Sequence, residues 1–100
     1  MFKKGDRVLC IDDSLPEPPS VRHSFSTWIE SGVVYTIREC IFTQITNKWG
    51  VALKEIKNPA VYIPDLDCKV EPMYNAERFV KIDKQDEEFI AELQEVNFNI

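Results

Sequence analysis

One hundred residues with 44% hydrophobic and 11% aromatic content can bury a single core, which excludes both a second domain and a disordered chain. No apolar run approaches the roughly 18 residues of a membrane span, and Met1-Phe2-Lys3-Lys4-Gly5-Asp6 has no apolar stretch after its lysines. The chain is therefore expected to lack a signal peptide, to avoid the membrane and to be cytoplasmic.

The first strand is expected over residues 6–11, after the turn glycine Gly5, with Val8 and Cys10 on one face and Arg7, Leu9 and Ile11 on the other. Asp12-Asp13-Ser14 ends it, because short polar side chains bond nearby backbone and favour turns. A long loop over residues 12–31 follows, with Leu15-Pro16-Glu17-Pro18-Pro19 near its start and Trp28 and Ile29 as the anchor near its end. Gly32 opens a second strand over residues 33–41, whose β-branched and aromatic content is the strongest strand signal in the chain. Tyr35 and Ile37 share the face expected to meet the core.

A connection through Asn47-Lys48-Trp49-Gly50 leads to a third strand over residues 51–56, antiparallel to the second. Val61-Tyr62-Ile63, bounded by Pro59 and Pro64, is at most an edge strand. Residues 57–77 otherwise read as a second long loop, apart from an extended piece at residues 69–71, and residues 77–82 as a closing strand. All three glycines read as turn residues.

The period then changes. Asp83 can cap a helix of about three turns with acids in its first turn, and Phe89, Leu93 and Val96 fall on one stripe with Ile90 beside it. The last residues, 97–100, are expected to run along the surface. Charge follows the same division. Six acids against one base between Asp83 and Glu95 account for the net -5, while the eleven acids and eleven bases elsewhere cancel.

Catalytic chemistry finds no constellation in this sequence. The single histidine, His23, lies in a serine-rich loop with Ser24 and Ser26, which does not make a triad. Cys10, Cys40 and Cys68 are odd in number and widely spaced, so free thiols are expected and a zinc site completed by His23 is not. Asp12-Asp13 reads as turn chemistry rather than a cation site. No glycine-rich phosphate loop is present, and no cofactor is expected. The P-x-x-P spacing of Pro16 to Pro19 reads as a stiffened loop in preference to a polyproline ligand.

Binding offers two candidates. Trp28, Phe42, Trp49, Tyr62 and Tyr74 fall at loops or strand ends, where they either form a ligand surface or complete the ends of the core. Arg22, Arg38, Lys48 and Lys54 beside them would suit single-stranded nucleic acid, but a neutral body with an acidic tail opposes phosphate binding. The helix stripe of Phe89, Ile90, Leu93 and Val96 most simply docks on its own barrel; undocked, it is an element for a partner or a second copy.

Lys4-Gly5-Asp6-Arg7-Val8 and the succession of short strands and long loops resemble SH3-like barrels of the KOW type. The start Gly5 to Asp13, the string Gly32-Val33-Val34-Tyr35-Thr36-Ile37-Arg38 and the run from Pro72 to Phe79 resemble small phage- and prophage-encoded proteins of uncharacterised role. The resemblance covers residues 1–82 and implies a mainly β fold: an SH3-like barrel of about five antiparallel strands, with an appended acidic amphipathic helix and tail over residues 83–100. It carries over no catalytic or binding residue. The expectation is a non-enzymatic protein-interaction module with an unidentified protein partner, the alternative a nucleic-acid-binding barrel.

Overall fold

The structure is a computed structural model that describes residues 1–44, 46–64 and 66–98, with side chains in the helix described through Gln94. Among the described residues seven strands form two antiparallel sheets. These are β1 (Arg7–Cys10), β2 (Val34–Thr43), β3 (Lys48–Leu53), β4 (Val61–Ile63), β5 (Cys68–Val70), β6 (Tyr74–Asn75) and β7 (Phe79–Lys81). The larger sheet has the order β6-β3-β2-β1-β7, and β4 and β5 pair as a separate hairpin. A three-residue 3-10 turn, Ala76–Arg78, joins the two edge strands of the larger sheet. One helix, α1 (Lys84–Phe98), ends the described chain.

Alternation along the strands builds the core. Val8 and Cys10 of β1, Tyr35 and Ile37 of β2, Val51 and Leu53 of β3 and Phe79 of β7 are buried together. Gly32 turns the chain into β2 at φ +88°, in the left-handed region that glycine occupies without steric cost. The long first loop is not loose. A 3-10 helix at Pro19–Ser24 occupies its middle, so the proline run leads into a helical turn. Phe25 and Ile29 beyond it are buried, and Glu30 N donates to the Tyr35 hydroxyl at 3.0 Å.

Several expected elements move. β2 runs two residues further, to Thr43, and β3 begins three residues earlier, at Lys48, directly after Asn47 at φ +56°. Lys48, Trp49 and Gly50 are therefore strand residues, and Gly50 is not a turn glycine. It lies under Met73, where an added Cβ would come within 2.9 Å of the Met73 Cβ. Within residues 57–77 the extended pieces expected at 61–63 and 69–71 pair as β4 and β5, the second one residue earlier, and β6 is a strand where loop was expected.

The helix starts where the acids predict. Asp83 Oδ1 accepts from Asp86 N at 2.7 Å and Asp86 Oδ2 accepts from Asp83 N at 3.2 Å, a reciprocal cap. It is one turn longer than expected and includes residues 97 and 98, which were read as surface tail; residues 99 and 100 lie outside the described residues.

Candidate functional site

The five aromatic residues do not form one surface. Tyr74 is 1% exposed and stacks on Phe25 at 4.6 Å between ring centroids, with Trp28 edge-on to both at 5.1 and 5.5 Å. Trp28 is half-buried, its indole N–H donates to Asp13 O at 2.8 Å, and the Arg22 and Arg78 guanidiniums lie 5.7 and 5.2 Å from its ring. Trp28 and Tyr74 thus close one end of the core and pin the first loop. Burial pushes the Tyr74 hydroxyl above its ordinary range.

Phe42 and Trp49 behave differently. They are directly opposed partners of β2 and β3, edge to face at 5.5 Å, and both are exposed. Beyond Cys40 and Val51 these two strands have left β1 behind and project as a ribbon. Tyr62 stands apart, on the face of β4 opposite Ile63, and its hydroxyl donates to Asp67 Oδ1 at 2.6 Å. That bond to a carboxylate raises the phenol above its usual range.

The concave feature of this region lies between the ribbon and the β4–β5 hairpin. Ile41, Gly50 and the edge of Trp49 form one wall; Ile63, Leu66 and Val70 form the other; Pro72 and Met73 form the floor. The groove measures about 470 Å³, within the range of roughly 300–1,000 Å³ typical of ligand pockets. Its polar groups are few. Glu71 at its base is held by Arg38 at 2.7 Å and by Asn58 N at 3.1 Å, whereas Lys48 at its mouth makes no ion pair among the described residues. Burial opposes ionisation of Glu71, but the guanidinium and the backbone N–H outweigh it and hold the carboxyl below its ordinary range. Of the predicted site residues only Trp49 lines this groove. Ile63 and Val70 lie in the two short extended pieces and Leu66 and Met73 in the loop around them, and no sequence pattern marks these four apolar residues as sharing a surface with Trp49.

The helix docks by an unexpected face. Glu87 pairs with Arg7, Gln94 Nε2 donates to Gly32 O at 3.2 Å, and Ile90 and Ala91 lie over Val33 and Val34. Phe89 and Leu93 turn away, 59% and 49% exposed, so their expected docking on the barrel is overturned. The apolar stripe loses to an ion pair and an amide contact on the neighbouring face. The side chain of Val96 lies outside the described residues.

Two of the four bases suggested for nucleic acid are committed internally. Arg22 donates to Phe25 O at 2.8 Å, and Arg38 to Leu53 O at 3.1 Å as well as to Glu71. His23 is exposed in the 3-10 helix, and Asp12 accepts from the backbone and hydroxyl of Ser14, which is turn chemistry. Burial pushes the Cys10 thiol up, the reverse of what activates a nucleophile. Among the described residues no three or more His, Cys, Asp or Glu side chains gather as a metal site, and no helix is long and apolar enough to cross a membrane. No family model matches the chain, and no curated protein or solved structure matches it.

Proposed function

We propose that the chain is a non-enzymatic protein-interaction module on an SH3-like barrel, and that it binds an apolar segment of a partner protein in the groove between the β2–β3 ribbon and the β4–β5 hairpin. The barrel reading draws support from the edges of the larger sheet. Strands β6 and β7, the two edges of the five-stranded sheet, are linked by only three residues, a short connection that favours a curled sheet over a flat one.

The observation that carries the function is the groove: an open, mostly apolar hollow with a tryptophan at its lip and one unpaired lysine at its mouth. Such a surface gains binding energy by covering apolar area, with Trp49 as the anchor type that dominates interfaces. Panning a random peptide library on the folded protein tests it. Enriched peptides should bind the wild type and lose at least about tenfold in affinity with Leu66→Asp or Trp49→Ala. Peptides indifferent to both changes, or no enrichment, would overturn the proposal.

A second reading keeps one observation in its favour. Phe42 and Trp49 are exposed beside Lys48, a pairing that could stack on bases of single-stranded nucleic acid. Binding of a labelled oligonucleotide that weakens steeply with salt and with Phe42→Ala would select this reading instead.

A further inference from the structure

Two apolar surfaces on this chain lack a partner among the described residues, and they are complementary. One is the groove. The other is the outward face of α1, with Phe89 and Leu93 one turn apart and Glu88 and Glu92 exposed beside them. We propose that the groove of one copy receives the Phe89–Leu93 face of α1 from a second copy, each helix filling the other's groove in a reciprocal dimer. The inference rests on the groove being the binding surface and names its occupant.

Charge and placement carry it. The helix face is acidic, and at the groove Arg38 neutralises Glu71 while Lys48 stands free of ion pairs among the described residues, a cation for Glu88 or Glu92 to meet. An amphipathic helix laid in an apolar groove is a recurrent mode of recognition, read through anchors spaced at i and i+4.

The helix cannot fill the groove of its own chain. It is fastened beside Val33 and Val34 at the start of β2, whereas the groove lies at Ile41 and Thr43 near the end of the same strand. Seven to nine strand residues separate them, roughly 23–30 Å. A two-fold axis that sets the β2 strands of two copies antiparallel brings the helix of each copy beside the groove of the other.

The test uses two variants of the full chain. Leu66→Asp alters the groove and Leu93→Asp alters the helix face; these side chains are 50% and 49% exposed, so neither change opens the core. Sedimentation should give the mass of two chains for the wild type at about 100 μM and of one chain for each variant, with circular-dichroism melts confirming that both are folded. Mixing the two variants should restore association, because one intact groove then meets one intact helix. A monomeric wild type, a dimer insensitive to either change, or single-variant sensitivity without rescue on mixing would overturn the inference. Peptides selected through the groove alongside a monomeric wild type would retire this occupant and leave the groove proposal standing. A failed selection on the monomeric Leu93→Asp variant would remove the groove proposal itself.

Discussion

The Asn58 amide nitrogen donates to the Tyr74 hydroxyl at 3.0 Å, tying the segment after β3 to strand β6. The Asn58 amide oxygen accepts from Ser26 N at 2.9 Å, and the Tyr74 hydroxyl donates onward to Thr27 O at 2.5 Å. Asn58 is 3% exposed, the one buried polar side chain among the described residues. A buried amide is tolerated here because its partners are all present.

Removing that amide should therefore cost more than an average polar substitution. Asn58→Ala is expected to destabilise by about 1–3 kcal/mol, since it leaves buried groups unpaired. Tyr74→Phe should cost about 0.5–1.5 kcal/mol, and the double variant should fall short of the sum because the residues share one bond. Urea denaturation of the four proteins measures the coupling.

Stability should also depend on the Arg38–Glu71 pair in acid. The folded carboxyl of Glu71 is held below its unfolded value, so the unfolded chain binds more protons in this range and stability rises with pH. The contribution is complete above the unfolded glutamate value of about 4.3 and is lost as pH falls from there through the depressed folded value. Urea midpoints between pH 7 and pH 3 should show a steeper acid decline in the wild type than in Glu71→Gln.

At Gly50 a single methyl should be felt. An added Cβ would press on the Met73 Cβ, which is fixed to the backbone and has little room to yield. Gly50→Ala is expected to destabilise by about 1–3 kcal/mol and to narrow the groove. Thermal melts and the affinity of a selected peptide read the two effects separately.

The helix should show an inverted pattern of sensitivity, measured on the monomer at low micromolar concentration. Phe89→Ala should change stability by no more than about 0.5 kcal/mol, because the residue is mostly exposed to solvent. Ile90→Ala should cost more, about 1 kcal/mol, since that half-buried side chain is on the side of the helix that faces Val33 and Val34. A larger loss at Phe89 than at Ile90 would contradict the docking seen here.

The sequence made β2 readable because a turn glycine, β-branched residues and a strict alternation agree there, and Tyr35 and Ile37 are buried accordingly. The start of β3 was misplaced because Asn47 and Gly50 both read as turn signals, and only Asn47 takes a positive φ. Two-residue β6 has no period to detect. The site was harder still. Its walls come from two successive hairpins that share no hydrogen-bonded pairing to reveal their packing, and periodicity in α1 shows that an apolar face exists without showing what it faces. The competition between that face and the Arg7–Glu87 pair is settled only in three dimensions.

The register of β2 slips by one residue at Arg38, where the pairing passes from Ile37–Leu53 to Glu39–Ala52. This extra residue works as a frame shift in the strand's alternation. Up to Ile37 the odd-numbered side chains face inward; after it the even-numbered Cys40 packs on the core, which frees Ile41 and Thr43 for the groove. Deleting one residue there would exchange the two sets. The composition of the binding wall is thus decided several residues away from it, by a position that does not itself line the groove.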